Sequence, residues 1–256
     1  MKFTIEYITN TGLKRDHNED SILVGDLLIS SQSMETSEHM HLDQSKLICV
    51  VADGMGGHAK GEVASKFVLE KIKSKKDDMF DVDSVKKVLW SISEEMAIYA
   101  EDNSQYLNMG TVLAGVLIID EKMVIFSVGD CRVYENAFGY ANQLSEDHSL
   151  VYSLYKSGEI TYDQIQTHPK KNIVTSAFIG NKNQILKDIF IKEIDTNVAK
   201  NGLLLCSDGT WESLDIAEIE SCFTTSTITE SLKLKVLETE ATDNFSVIYV
   251  KGSPNE

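Results

Sequence analysis

The sequence predicts an α+β protein built from two stacked, mostly antiparallel β-sheets with paired helices on the outside. Apolar runs typical of buried strands occur near both ends and in the middle of the chain, and helical patterns occur in pairs between them. The regular strand–helix alternation of a Rossmann or TIM fold is missing. With 256 residues, 42% of them hydrophobic, the chain can form a sizeable core. We therefore expect a single domain over residues 1–252 and a short tail at 253–256.

The first half of the chain is predicted to contain strands and one pair of helices. FTIEYIT and SILVGDLLIS each read as a strand, and LICVVA reads as a buried strand that runs into a glycine-rich loop. Residues 30–45 are polar and lack periodicity, which predicts an exposed loop or an irregular hairpin. Two helices follow, and apolar residues spaced by three and four give the second a buried face: Val85, Leu89, Ile92, Met96 and Tyr99.

The second half is predicted to be rich in strands. They dominate residues 111–134, after which the polar stretch 145–168 is predicted to be helical and IVTSAFIGN to be a loop. The runs ILKDIFIKEID, LLLCS and FSVIYV are predicted strands. Two helices, at 215–223 and 227–241, lie between the last two of these runs. The second begins with Thr227-x-x-Glu230, which has the spacing of a capping box.

Charge and cysteine usage exclude several classes of protein. The formal net charge of −16 would repel a phosphate backbone, so we expect no nucleic-acid partner. The four cysteines form no CxxC pair, which argues against zinc and favours reduced thiols in the cytoplasm. The N-terminus lacks the apolar region of a signal peptide, and no apolar run reaches the ~18 residues of a membrane span.

Five aspartates lie within two positions of a glycine or asparagine along the chain, and four of them adjoin an apolar run that reads as a buried strand. They are Asp20, Asp53, Asp130, Asp208 and Asp243. A carboxylate at the end of a buried strand is unfavourable unless positive charge meets it. If the sheets bring several of these ends together, their oxygens form a site suited to hard divalent cations such as Mg²⁺ or Mn²⁺.

Other chemistries fit the motifs less well. Gly54-x-Gly56-x-x-Ala59 matches a dinucleotide fingerprint, but Asp53 would face the pyrophosphate with a like charge and no second strand follows. No cysteine is followed six positions later by arginine, so the loop of a cysteine phosphatase is absent. The Asp-x-Asp at residues 81–83 opens a helix, where Asp83 or Ser84 as the N-cap explains it better than an aspartyl nucleophile. His39-x-His41 lies in the polar loop and is expected to be solvated.

Seven motifs, taken together and in order, resemble the type-2C family of metal-dependent serine/threonine protein phosphatases, and most closely its compact bacterial branch. They are RDHNEDS, VVADGMGGHAKGEVAS, MGT, FSVGDCRVY, LSEDHSLV, LLLCSDG and TDNFSVIYV. The resemblance covers nearly the whole chain. It implies a four-layer αββα sandwich, with two Mn²⁺ or Mg²⁺ ions in a cleft at one edge.

The resemblance also implies the ligands of these ions. Asp53 bridges both ions and the Gly54 carbonyl binds one of them, while Asp208 and Asp243 bind the other. Asp130, together with Asp208, matches a third and weaker metal site of bacterial members.

Three further residues are implied to act in catalysis. Glu19 and Asp20 hold metal-bound waters, and Arg15 binds the phosphate. Residues 158–180, which include His168, correspond to the flap beside the active site. The chain departs from the family pattern at Asn10, where aspartate is usual, and in SDGTW, where SDGL is commoner.

By this resemblance we expect a cytoplasmic, monomeric phosphatase that hydrolyses phosphoserine and phosphothreonine by direct attack of a metal-bridging hydroxide, without a phosphoenzyme. Phosphorylated proteins, including a cognate Ser/Thr kinase, are its expected partners. Two alternatives stay open: a catalytically silent regulator of the same fold that binds phosphoproteins, and a small-molecule phosphohydrolase.

Overall fold

The computed structural model describes residues 1–55 and 60–253. The strands in chain order are β1 (Lys2–Asn10), β2 (Ser21–Val24), β3 (Leu27–Ser30), β4 (Glu38–Asp43), β5 (Lys46–Met55), β6 (Gly110–Ile119), β7 (Lys122–Val128), β8 (Arg132–Ala137), β9 (Tyr140–Gln143), β10 (Phe178–Ile179), β11 (Phe190–Asp195), β12 (Leu203–Cys206) and β13 (Phe245–Ser253). The helices are α1 (Lys60–Ser74), α2 (Val82–Asp102), α3 (Leu150–Lys156), α4 (Asn197–Asn201), α5 (Asp208–Trp211), α6 (Ile216–Cys222) and α7 (Ile228–Glu238).

The strands form two sheets, within which all of the described pairings are antiparallel. One sheet has the order β4-β1-β13-β12-β8-β9. The other has the order β11-β7-β6-β5-β2-β3, and β10 pairs with the start of β6. Strands β5 and β6, the longest at 10 residues each, pair along their full length and form the centre of the second sheet.

Three apolar clusters hold four layers together. The first packs α1 and α2 against the β5-containing sheet and includes Val68, Leu89 and Phe126. The second fills the space between the two sheets, and the third packs α5, α6 and α7 against the β13-containing sheet. Each central strand therefore has two buried faces, which explains why these strands are continuously apolar instead of alternating. The predicted αββα sandwich is confirmed. No helix in the described part of the chain has the length and apolar character needed to cross a bilayer.

Several predictions for individual elements were wrong. SILVGDLLIS is not one strand but the β2–β3 hairpin, which turns at Gly25 with a φ of 59°. The polar segment 30–45 contains β4, a short edge strand in which only Met40 and Leu42 are partly buried. The stretch 145–168 is only partly helical, because α3 spans seven residues and is followed by turns.

Two capping predictions were also wrong. The N-cap of α2 is Asp81, whose side chain accepts a hydrogen bond from the Ser84 amide, and Ser84 occupies the third position of a capping box. Thr227 does precede α7, but its side chain makes no capping hydrogen bond. Glu230 accepts instead from the Ser37 amide at 2.8 Å, so it fixes the segment before β4. A tertiary contact has replaced the local one that the spacing predicts.

Candidate metal-dependent active site

The candidate site lies where β5, β12 and β13 end or begin at one edge of the sandwich. Asp53 is near the end of β5, and its carbonyl accepts a 2.6 Å hydrogen bond from the Thr111 hydroxyl of β6. Asp208 begins α5 directly after β12, and Asp243 lies two residues before β13. A hydrogen bond from the Ser207 amide to the Ser246 carbonyl continues the β12–β13 ladder at this end. The antiparallel pairing thus brings Asp208 next to Asp243.

Two glycines allow the surrounding loops to approach closely. A Cβ at Gly54 would lie 2.2 Å from the Gly61 carbonyl oxygen and 2.6 Å from that of Glu19. A Cβ at Gly209 would lie 1.9 Å from the Asn244 carbonyl oxygen. Any side chain at either position would push these backbones apart, because real contacts of this kind do not fall below about 3 Å. Both glycines therefore bring the loops that carry the acidic residues into contact.

Asp20 is a buried carboxyl with one unpartnered oxygen. Its side chain is 1% exposed, and Oδ2 accepts a 2.7 Å hydrogen bond from the Ser207 hydroxyl. Oδ1 is buried and has no hydrogen-bond partner among the described residues. Burial raises the pKa of Asp20 from 3.8 to about 7; the charges of Asp208 and Asp243 add to the increase, and hydrogen bonds from Ser207 and Ser246 oppose it.

The carboxyls of Asp53 and Asp208 share a hydrogen bond. Burial, followed by the charges of Asp208 and Asp20, holds the pKa of Asp53 well above its ordinary range. The pKa of Asp208 rises to about 6, mainly by burial, while its hydrogen bond with Asp53 lowers it. Burial and the charge of Asp208 likewise raise the pKa of Asp130. These carboxyls are close enough to disfavour one another's ionisation.

Arg15 forms an ion pair with Asp243, with 2.7 Å between Nη2 and Oδ2. The Arg15 side chain is 49% exposed, and its pKa is raised by the charges of Asp243, Glu19 and Asp53 against the lowering effect of burial. Glu19 is partly buried and accepts a hydrogen bond from the Gly61 amide, and burial raises the pKa of its carboxyl. The Arg15 guanidinium thus lies beside the acidic residues and partly in solvent, where it can reach a bound anion.

Asp130 is held in the turn between β7 and β8 by a buried network. The Trp211 indole donates a 2.9 Å hydrogen bond to the Asp130 carbonyl, and its ring lies 3.5 Å from the guanidinium carbon of Arg132. Arg132 forms a buried ion pair with Asp147, with 2.6 Å between Nη2 and Oδ2. Trp211, which departs from the family pattern in SDGTW, thus contacts the backbone of Asp130, a predicted metal ligand.

The residues present fit a divalent cation, although the cluster is not preformed. Within residues 1–55 and 60–253, no group of three or more His, Cys, Asp or Glu side chains is arranged to hold a metal ion. Instead, the carboxyls of Asp53 and Asp208 interact with each other, and Asp243 is ion-paired with Arg15. Yet Oδ1 of Asp20 and Oδ1 of Asp208 are buried without a partner in the described chain. Unpartnered buried oxygens are unfavourable, and a hard cation, or a water molecule bound to it, would satisfy them.

The raised pKa values predict how pH affects the protein in chelator. Asp20 and Asp208 titrate near 7 and 6 in the folded protein, against 3.8 for an ordinary aspartate. They therefore bind protons more tightly when folded, and their contribution to the free energy of unfolding is lost as pH rises from about 4 to about 7. Urea unfolding across this window should show that loss, and Asp20→Asn should show a smaller one. Equal pH slopes for the two proteins would contradict the raised pKa of Asp20.

The structure thus brings together Asp20, Asp53, Asp130, Asp208 and Asp243, with Arg15 and Glu19 beside them. The proposed flap contacts the end of α5 and the turn after it through two side chains: Gln166 donates to the carbonyls of Trp211 and Leu214, and Lys171 pairs with Glu212. His168 makes only a local contact, since its Nδ1 accepts from the Lys170 amide. The fingerprint residues Gly56 and Ala59 lie outside the described residues.

Sequence reasoning missed residues that support the site without touching a metal. Ser207 and Asn244 hold Asp20 and the loop after β1. The sequence feature that could have pointed to Ser207 and Asn244 is that each is adjacent to a predicted metal ligand. Asn10 is another departure from the family pattern. Its side-chain amide donates to the Met34 carbonyl at 2.8 Å, which an aspartate could not do.

Known proteins resemble this chain in sequence and in fold. The model of a family described as Protein phosphatase 2C matches residues 35–241. The serine/threonine phosphatase stp of Listeria innocua is 31% identical over 258 residues, which cover 96% of this chain and 94% of the relative. The structure of serine/threonine phosphatase Stp1 from Staphylococcus aureus is 29% identical, with a TM-score of 0.79 and coverage of 98% of this chain and 95% of that one. The catalytic domain of PstP in complex with 2 manganese ions shares the fold, with a TM-score of 0.75 at 22% identity and coverage of 98% and 99%.

Proposed function

Because the chain belongs to the protein phosphatase 2C family, we propose that it is a metal-dependent phosphatase that hydrolyses phosphoserine and phosphothreonine in proteins. The observation that carries this proposal is the set of mutually repelling carboxyls at one edge of the sandwich, two of them with unpartnered buried oxygens. Its relative from Listeria innocua is named a serine/threonine phosphatase.

We assign the metal ligands residue by residue. Asp53 and the Gly54 carbonyl at the end of β5, with Asp208 and Asp243, would hold two Mn²⁺ or Mg²⁺ ions, and Asp130 with Asp208 would hold a third, weaker one. The 2 manganese ions in the PstP complex support the first two of these ions. When bound, such ions offset the charge of a phosphate dianion and acidify a water so that it can attack at neutral pH.

The chain's own residues bind the phosphate and handle the proton. Arg15 can present two N–H groups to two phosphate oxygens, a geometry that a guanidinium favours. To do so it exchanges its present partner, Asp243, for the substrate. Asp20 keeps Oδ2 on the Ser207 hydroxyl and has Oδ1 available to orient the attacking water or accept its proton. Glu19 is positioned beside them by the Gly61 amide and orients water in the same way.

The substrate class and setting follow from the same family. Phosphorylated proteins are the substrates, and we propose that a cognate Ser/Thr kinase is among them. The four cysteines are free and buried, which suits a reducing cytoplasm. Asn10 of β1 pairs with Phe245 of β13, so the two ends of the chain lie in one sheet. This supports a single domain over residues 1–252, and we propose that it acts as a monomer.

Phosphate release from a phosphothreonine peptide tests the proposal. With Mn²⁺ present we expect turnover, and EDTA should lower it at least ~100-fold because the acidic site then repels the substrate. Restoring Mn²⁺ should restore the rate. The peptide should be a better substrate than small phosphorylated metabolites. Peptide binding without turnover would favour the silent regulator, and a preference for metabolites would favour the small-molecule phosphohydrolase.

A further inference from the structure

Asn244 connects the loop that carries Arg15 to the strand that follows Asp243. It is 4% exposed, and its side chain uses both ends of its amide. Nδ2 donates to the Thr11 carbonyl at 2.8 Å and to the His17 carbonyl at 2.9 Å. Oδ1 accepts from the Glu19 amide at 2.8 Å. One buried side chain therefore fixes the loop on both sides of Arg15.

Other hydrogen bonds fix the two ends of this loop. The Thr11 amide donates to the Ser33 hydroxyl at 3.1 Å, and the Asn18 side chain donates to the Thr9 hydroxyl and the Gln32 carbonyl, both at 2.7 Å. Residues 11–18 contain no helix or strand, and most of them are at least partly exposed. Among the described residues, the polar contacts of this loop with the segment before β13, besides those of Asn244, are the Leu13 amide on the Ala241 carbonyl at 2.9 Å and the Arg15–Asp243 ion pair. Substrate would break that ion pair, because Arg15 must turn to the phosphate. Asn244 would then carry most of the attachment between the loop and the metal-binding segment.

We propose that Asn244 is a positioning residue for substrate binding, which holds Arg15 at a fixed place relative to the metal ligand Asp243. This inference rests on the proposed phosphatase function and on the phosphate role of Arg15. Asn244 itself touches neither substrate nor metal. Its backbone amide also donates to Oδ1 of Asp243 at 2.8 Å. The side chain of Asn244 therefore contacts the loop that carries Arg15, and its backbone contacts the metal ligand Asp243.

A double-mutant cycle with Arg15→Ala tests the proposal at saturating Mn²⁺. Asn244→Ala should raise KM for a phosphopeptide, and Ki for inorganic phosphate, roughly tenfold with little change in kcat, since a misplaced arginine weakens binding. Arg15→Ala should raise KM at least as much. The double variant should have the KM of Arg15→Ala alone, because Asn244 acts only through that side chain.

A matched control separates positioning from stability. Asn136 is also buried, donates to the Tyr249 hydroxyl at 3.1 Å and accepts from the Gly139 amide at 2.8 Å, and it lies in β8 outside the site. Asn136→Ala should lower stability without changing KM. Hydrogen exchange of residues 11–19 in metal-free protein should accelerate in Asn244→Ala and not in Asn136→Ala. If Asn244→Ala does not fold, Asn244→Asp keeps the volume and the acceptor while it removes the two donated bonds.

The outcomes distinguish the failure of each claim. Wild-type protein without metal-dependent turnover would overturn the proposed function. An unchanged KM in Arg15→Ala would remove the phosphate role, and with it the role of Asn244. A raised KM in Arg15→Ala, combined with an unchanged KM in Asn244→Ala or with additive effects in the double variant, would overturn the positioning role alone.

Discussion

Asp208→Asn is expected to lower kcat by at least ~1000-fold, the largest effect of any single substitution considered for this chain. The change keeps the shape of the side chain and removes the anionic oxygen that binds a cation. Because the charge of Asp208 is repelled by that of Asp243 and raises the pKa of Asp53, the neutral amide also relieves repulsion. The metal-free variant should therefore be at least as stable as the wild type, while Mn²⁺ stabilises it much less.

Phosphopeptide turnover and thermal unfolding with and without Mn²⁺ measure both effects. Asp53→Asn should behave in the same way, because its carboxyl belongs to the same hydrogen-bonded pair. Asp215→Asn is a suitable control, since Asp215 is an exposed N-cap of α6 and asparagine caps equally well. A loss of activity accompanied by strong destabilisation of metal-free Asp208→Asn would assign Asp208 to the fold instead of to the metal.

Asp147→Asn is expected to lower the free energy of unfolding by about 3–5 kcal/mol. Arg132 and Asp147 are 3% and 6% exposed, and two guanidinium nitrogens of Arg132 contact the carboxylate. Asparagine would leave the buried guanidinium without a counter-ion, and the Tyr134 hydroxyl and the Trp211 ring cannot neutralise it. Since Trp211 also holds the Asp130 carbonyl, the variant should also lose affinity at the third metal site that we propose.

Urea unfolding in chelator measures the first of these effects. The exposed pair Lys156–Glu146 provides the control, and Glu146→Gln should change stability by less than about 1 kcal/mol because solvent screens it. Replacing both members of the buried pair, as Arg132→Met with Asp147→Leu, should recover part of the loss. A cost for Asp147→Asn as small as that for Glu146→Gln would show that the buried pair does not stabilise the fold.

Much of the fold and the candidate site could be predicted because the informative residues are local. Continuous apolar runs such as LICVVA predict strands buried on both faces, and the aspartates at their ends predict convergence at one edge. The structure has both features, in β5 and β12. Whether Asp53, Gly54, Asp208 and Asp243 bind metal, and whether Arg15, Glu19 and Asp20 act on the substrate, stays a prediction.

The parts that could not be predicted depend on contacts between distant segments. β4 is an exposed edge strand whose pairing with β1 determines its conformation, so its own composition does not indicate a strand. Glu230 binds the Ser37 amide instead of capping α7. The fold brings these two groups together although 193 residues separate them in the sequence. Asn244 reaches Thr11 and His17 across more than 200 positions. No local spacing carries such information.

Calorimetric titration of the metal-free protein with Mn²⁺ tests the central claim most directly, namely that these aspartates form a cation site. The wild type should take up two ions per chain, with a third at higher concentration, and should release protons because the raised pKa values of Asp53 and Asp20 favour proton binding in the metal-free protein. Asp53→Asn should lose the uptake. No heat of Mn²⁺ binding in the wild type, or equal binding by Asp53→Asn, would contradict the assignment.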